Sequence, residues 1–339
     1  MRPINQRRFR QFRANRRGML SLVMFGLLFV TSLFAEVLAN NRPLLISYDG
    51  HFYSPILRDY PETTFGGDLP TNAIYDDKEL QQSIDAKGWM MWPLIPYSYN
   101  TTITGEGRNA LLPPSWRHPL GTDDQARDVL ARLIYGFRIS VLFGFTLTVL
   151  SSIVGIAAGA VQGYFGGWVD LSFQRFLEIW SSMPTIYLLI ILASFVQPGF
   201  WILLGIMLLF SWMGLVGYVR AEFLRGRNFD YVRAARALGM LDVRIMMRHI
   251  LPNAMTAALT YLPFILAGSV TTLTALDFLG FGLPPGSPSL GELVLQGKNN
   301  LNAPWIAFTA FFTIALMLSL LVFIGEAVRD AFNPRKVPV

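Results

Sequence analysis

Three histidines, His51, His118 and His249, are the imidazoles available for ligation or proton transfer in this chain of 339 residues, and no cysteine is present. The three stand far apart and form no spaced ligand pair. Without cysteine there is no thiolate ligand, no thiol nucleophile and no disulfide framework. The nearest approach to a phosphate-binding loop is GELVLQGKN (Gly291–Asn299). Such a loop needs four residues between its glycines and a hydroxyl after its lysine. Here five intervene, and Asn299 replaces the hydroxyl. The chain is therefore expected to hold no metal and no cofactor, and to be non-catalytic.

The stretch DYVRAARALGMLDVRIMMRHILPN (Asp230–Asn253) offers a different chemistry, that of a docking surface. It carries four arginines, two aspartates and His249. Tyr231, Ala234, Ala235 and Leu238 recur at i, i+3, i+4 and i+7, a helical stripe. Gly239 follows as a stop signal. Asp242 is placed to cap a second helix with its own stripe, Val243, Met246, Met247 and Ile250. Pro252 then begins a further helix at a membrane edge. The paired alanines and the glycine leave a low-relief surface that another backbone can approach closely. A juxtamembrane loop attracted to anionic lipid is the competing reading.

The elements around this stretch are apolar. The chain is 53% hydrophobic and 15% charged, against about 25% charged in soluble domains. A membrane helix needs about 20 mostly apolar residues. Charge-free intervals place candidates at 18–39 (interrupted by Glu36), 139–169, 179–219, 250–276 and 299–325. The interval 179–219 is too long for one helix and is broken by the turn signal QPGF (Gln197–Phe200), giving about six spans. The net charge of +6 suits nucleic-acid binding in isolation, but the basic residues follow topology instead. Arg2, Arg7, Arg8, Arg10, Arg13, Arg16 and Arg17 precede the first span, seven arginines lie between Arg220 and Arg248, and Arg329, Arg335 and Lys336 follow the last span. The positive-inside rule puts both termini and the arginine-rich loop in the cytoplasm. No nucleic-acid partner is expected.

The segment 40–137 is a hydrophilic insertion with eight basic and twelve acidic residues, expected outside, in a periplasm or its equivalent. Arg42–Leu57 reads as strand and turn. Trp89–Asn100, aromatic and proline-rich, reads either as a packed loop or as a segment lying on a membrane surface or a partner. A cleavable signal peptide is the rival for residues 1–39, but the apolar stretch exceeds the usual length and no small-residue cleavage pattern follows it, so a retained first helix is expected. The expected division is a basic cytoplasmic tail (1–17), a first transmembrane helix (18–39), the periplasmic insertion (40–137), a domain of five transmembrane helices (138–328) containing a cytoplasmic loop (220–253), and a cytoplasmic tail (329–339). Acids, bases and histidines are missing from the centres of the later spans, where ion-coupled transporters keep them. The chain reads as a pathway without an engine: either a passive channel, or one part of a machine whose engine is another polypeptide.

Three segments carry a family resemblance. Ala234-Ala235-x-x-x-Gly239, with Leu251-Pro252 twelve residues on, resembles the EAA loop of binding-protein-dependent ABC importer permeases. Arg233 stands where that motif usually has Glu, and His249 where an apolar residue is usual. The dipeptide and oligopeptide branch commonly has such substitutions, with His249 and Asn253 flanking the proline as they do here. GTDDQARDVLARLIYGFRISVLFG (Gly121–Gly144) resembles that branch's G-T-D-x-x-G-R-D-V-x-S-R motif, with Ala126 and Ala131 for its Gly and Ser. LDFLGFGLPPGSPSLGELVLQG (Leu276–Gly297) and Ala303–Trp305 resemble its external loop, with Asp277 and Leu290 for the usual Ser and Trp. The resemblance covers roughly Gly121 to the C-terminus with the basic tail and first helix. The large insertion resembles that of permeases in the microcin C and peptide importers of enteric bacteria.

The resemblance implies an all-α membrane protein of the type I ABC importer permease fold, in a bacterial inner membrane. It implies a heterodimer with a second permease, a cytoplasmic ABC ATPase that uses ATP and Mg, and a periplasmic peptide-binding protein. The loop would be the coupling element, with Arg233, Ala234, Ala235, Leu238, Gly239, His249, Leu251 and Pro252 as its residues and Ala234, Ala235, Leu238 and Gly239 facing the ATPase. An ATP-independent channel is the alternative, and a membrane-anchored sensor a weaker third.

Overall fold

The computed structural model describes residues 3–103, 110–196 and 199–332. Arg2, Arg335, Lys336 and the first half of the QPGF turn lie outside them. The basic N-terminal segment forms α1 (Pro3–Ala14), followed by α2 (Arg16–Leu33) and a single turn, α3 (Ala35–Leu38). The first apolar stretch is thus broken at Phe34, rather than one helix over 18–39. Next come β1 (Leu45–Tyr48), β2 (His51–Tyr53), α4 (Lys78–Lys87) and β3 (Gly88–Met91). Then follow α5 (Val129–Phe165), α6 (Gly167–Ser182), α7 (Thr185–Phe195), α8 (Phe200–Ser211), α9 (Met213–Gly226), α10 (Asp230–Ala237), α11 (Asp242–Ile245), α12 (Leu251–Phe278), α13 (Leu290–Asn299) and α14 (Pro304–Phe332).

Four helical stretches are long and apolar enough to cross a membrane, Arg16–Leu33, Val129–Phe165, Asp242–Phe278 and Pro304–Phe332, and there are up to six spans if each of two bent pairs counts as one. The bent pairs are α6 with α7, at 75°, and α8 with α9, at 41°. The first bend falls at Met183-Pro184, where Met183 is extended (φ −77°, ψ 133°), as the residue before a proline must be. The charge-free interval placed the start of the second span at 139, but α5 begins ten residues earlier. Its 37 residues span about 55 Å, well beyond the ~30 Å of a hydrocarbon core. Arg132 and Arg138 belong to this helix, because each has a carboxylate partner.

The chain divides into two compact units: residues 1–27, 140–284 and 314–339, and residues 28–139 and 285–313. In the first unit, Gly155, Gly159 and Gly163 of α5 form a row against α9. A Cβ at these positions would lie 2.5, 2.7 and 2.5 Å from the carbonyl oxygens of Trp212, Val216 and Arg220. Spacing by four on both helices brings the two backbones into contact, the small-residue packing by which helices associate in lipid, where no hydrophobic drive between them exists. The expected break before Pro252 is absent. A π turn over Met246–Ile250 joins α11 to α12, with the Leu251 N–H reaching the Met246 carbonyl. The widened turn carries the helix up to the proline, which has no N–H to contribute.

In the second unit the insertion builds a three-stranded antiparallel sheet, ordered β2-β1-β3. The β1–β2 link is Asp49-Gly50, both at positive φ (49° and 76°), the two-residue turn whose twist suits a hairpin. The sheet packs on α4 through Ile46, Tyr48, Leu80 and Ile84 around a buried Phe65. Tyr48, Tyr53, Tyr60 and Tyr75 meet that ring edge-on at 5.3–6.1 Å. Trp92 joins this core, and Ile95, Tyr97 and Tyr99 join a neighbouring one. The aromatic stretch 89–100 is therefore largely a packed segment of its own unit, although Trp89 remains half exposed.

Candidate functional site

The Asp230–Asn253 segment is a hairpin of two short helices, seated on the first unit. Helix α10 ends in a Schellman arrangement: Met240 N–H bonds the Ala235 carbonyl at 3.1 Å and Gly239 N–H the Arg236 carbonyl at 3.0 Å. Gly239 occupies the left-handed conformation this requires (φ +77°). Val232 and Ala235 of α10 and Ile245 of α11 are buried with Ala160, Tyr164, Val219 and Phe223. The second helix is not capped by Asp242. Leu241 holds the cap position without a side-chain bond, and the Asp242 carboxylate instead accepts the Tyr164 hydroxyl. Arg236 stacks over the Tyr164 ring at 5.3 Å, and Arg227 reaches the Tyr164 carbonyl at 3.3 Å. Arg220 grips Asp170 with two bonds of 2.6 and 2.7 Å. The Asp242 and Arg236 contacts tie the hairpin to the end of α5, while Arg227 and Arg220 tie α9 to α5 and α6.

The residues expected at the coupling surface divide. Ala234, Leu238 and Gly239 are exposed, but Ala235 faces inward. The outward apolar surface comprises Tyr231, Leu238 (86% exposed), Leu241 (73%), Val243 (70%) and Met247 (60%). The helix carries two apolar rows, and Val232–Ala235 is the one that packs. Arg233 lines an open cavity of about 720 Å³ with Arg227, Arg236 and Asp242. Leu251 packs against the hairpin's core, whereas Pro252 is exposed. His249 is half buried with its ring 6.2 Å from that of Tyr231, and its Nε2 has no partner among the described residues. Large apolar side chains held out by the hairpin can bury themselves in a partner's groove or against a lipid surface.

The Gly121–Gly144 segment builds a buried ion network in the second unit. Arg127 bonds Asp123 at 2.7 Å and approaches Glu292 of α13 at 3.4 Å. Arg132 is fully buried, bonding Glu292 at 2.9 Å and the Ser287 carbonyl at 3.1 Å. His118 Nδ1 lies 2.9 Å from Asp128. A guanidinium taken out of water needs such partners, because its desolvation is otherwise uncompensated. Ala126, standing where the resembled motif has Gly, adopts the left-handed conformation (φ +56°), which explains the usual glycine. Asp277 accepts the Leu283 N–H at 2.7 Å, fixing the turn after α12. In the sequence these residues, His118 aside, stand only as letters of the Gly121–Gly144 and Leu276–Gly297 motifs. Opposite charges spaced closely at the head of an apolar helix were the signal that they pair.

Several helices long and apolar enough to cross a membrane, with an exposed amphipathic hairpin beside them, describe a membrane protein. Residues 133–338 match the family described as binding-protein-dependent transport system inner membrane component, and residues 5–55 match the N-terminal TM domain of oligopeptide transport permease C. The chain belongs to this family: it is the permease subunit of an ABC importer and a multi-pass inner-membrane protein. It is 59% identical, over 98% of its length, to the inner membrane ABC transporter permease protein YejE of Escherichia coli, of which it covers 98%. It is 59% identical over 98% of its length to the peptidoglycan transport system permease protein YejE of Agrobacterium fabrum, covering 94%. The oligopeptide transport system permease protein OppC of Lactococcus lactis is 36% identical over 67% of this chain and 78% of its own. A solved MetNI methionine ABC transporter chain aligns over 59% of this chain and 96% of that chain at 18% identity and a TM-score of 0.47, too distant to bear on fold or function here.

Proposed function

We propose that the outward face of the hairpin docks in a groove of a cytoplasmic ABC ATPase and that ATP, with Mg, acts there and not on this chain. The surface formed by Tyr231, Leu238, Leu241, Val243 and Met247 carries this reading: it is exposed, apolar and mounted on a seat that cannot yield independently. Closure of the ATPase on ATP supplies the differential binding that any conformational change requires. Arg233, Arg236 and Arg227 beside this surface meet acidic groups of the ATPase. A second permease completes the path and a periplasmic peptide-binding protein delivers substrate to it. Both termini and the hairpin lie in the cytoplasm, and the 40–120 insertion outside. Peptides are the cargo; the peptidoglycan transport named for one relative supports cell-wall-derived peptides, and the resemblance in the insertion supports microcin C.

Gly239 offers the test. A Cβ there meets nothing within 4 Å in the chain itself, so the first atom of a side chain incurs only the left-handed backbone strain of about 1–2 kcal/mol. Gly239→Asn, which tolerates that conformation, is expected to transport. Gly239→Trp is expected to retain a folded, membrane-inserted chain yet lose ATPase copurification and at least about tenfold of ATP-driven uptake, a loss of ~1.4 kcal/mol in coupling. Normal uptake by the Trp variant removes the hairpin from the coupling role. Uptake by the chain without any ATPase makes it a channel.

A further inference from the structure

Within the first unit, at the two places where helices break, lies a cavity of about 290 Å³ lined by Thr185, Ser211, Ser269 and Thr272, with Leu189 and Phe210 among its apolar walls. Thr185 opens α7 directly after Pro184, and Ser211 ends α8 at its bend. The Ser211 hydroxyl is buried without a hydrogen-bond partner among the described residues. Ser269 is only 6% exposed and lines the same space. Thr272 donates to the Gly268 carbonyl at 3.0 Å, which leaves its lone pairs free. The N-terminus of α7 has no side-chain cap, so its first N–H groups are also unmatched. Hydroxyls left without partners in an apolar setting cost free energy, and irregular backbone at membrane depth persists where it lines a cavity.

We propose that this cavity is a subsite on the translocation path that takes the neutral main chain of a peptide in transit, one or two residues at a time. A serine or threonine hydroxyl donates once and accepts twice; Thr272, already donating to Gly268, is left to accept an amide N–H, and a hydroxyl without a partner, as at Ser211, can also donate to an amide C=O. No charged side chain lines the cavity, so neither a terminal ammonium nor a carboxylate has a counter-ion there. The recognition therefore rests on the backbone and is indifferent to sequence. The volume lies at the small end of the range for ligand pockets, suited to part of a peptide. An acyl-chain site would have no use for four hydroxyl-bearing residues in its lining. The inference rests on the peptide-importer reading.

The chain has no cysteine, so single cysteines report without background. The complete importer, with its second permease, ATPase and binding protein, is reconstituted in liposomes and supplied with radiolabelled trialanine and ATP. Ser269→Cys is expected to react with N-ethylmaleimide at least about threefold more slowly during transport, while the exposed Phe323→Cys is unaffected. The volume-conserving pair Ser269→Ala and Thr272→Val is expected to slow uptake about tenfold, as removal of two hydrogen bonds predicts. Uptake without protection of the thiol in the Ser269→Cys variant, or an undiminished rate in the double variant, overturns the subsite. No ATP-driven uptake of trialanine by the unsubstituted importer overturns the peptide reading itself, and the subsite with it.

Discussion

Gly159 gives the sharpest test of how the membrane helices support the hairpin. A Cβ there would sit 2.7 Å from the Val216 carbonyl oxygen and 2.9 Å from the Val219 Cβ, where ordinary contact begins at 3.4 Å. Alanine therefore forces α5 and α9 apart by about 0.7 Å, and the flanking contacts at Gly155 and Gly163 open with it. Such overpacking costs about 1–3 kcal/mol, against a helix-propensity gain of about 1 kcal/mol for Gly→Ala. Gly159→Ala should lose up to about 2 kcal/mol net, a fall of as much as a few degrees in melting temperature at this size, and Gly159→Leu more. Gly217→Ala on α9 meets nothing within 4 Å and should keep the propensity gain, shifting melting the other way. Because α9 ends four residues before α10 begins, Gly159→Leu should also lower uptake per ATP hydrolysed. The assay is thermal unfolding of the purified chain in mild detergent. If Gly159→Ala raises melting as much as Gly217→Ala does, the backbone contact between α5 and α9 does not exist as described.

In the buried ion network, Arg132→Met leaves Glu292 without its strongest partner and should cost about 3–5 kcal/mol. Adding Glu292→Gln should recover part of that loss, so additive melting shifts across the double-mutant cycle would refute the pairing. Tyr164→Phe removes the hydroxyl that holds Asp242. It should speed amide exchange through 242–250 relative to α12, with a cost of about 1–2 kcal/mol for a bond to a charged group. The two bonds from Arg138 hold the Glu36 carboxyl below its ordinary range. A depressed carboxylate stabilises above its unfolded pKa and loses that contribution as pH falls through the folded value. Glu36 is part-exposed, so the pair contributes about 0.2–1 kcal/mol. Melting of Glu36→Gln should approach that of the unsubstituted chain as pH falls below the carboxylate range, and a constant gap would refute the linkage.

The sequence by itself determined where the chain is apolar enough to cross a membrane. Transfer free energy sums along a local stretch, so the apolar intervals were legible without any partner. So was the hairpin's position: Gly239 is the residue type that a left-handed cap demands, and the arginines around it mark one side of the membrane. The hairpin's orientation was not legible. Tyr231–Ala234–Leu238 and Val232–Ala235 are both apolar rows on one short helix, and only packing against α5 and α9 decided that the second turns inward and leaves Leu238 out. The helix limits also depended on tertiary structure. Arg132 and Arg138 looked like the edge of a soluble segment, yet they lie inside α5, because Glu292 and Glu36 pair with them from residues 160 and 102 positions away. A charge's cost depends on its partner's distance in space, and sequence spacing does not record that distance. The glycine row at 155, 159 and 163 and the four hydroxyls of the cavity are similar cases. Their residue types are visible in the chain, but what they face is fixed only when helices far apart in sequence come into contact.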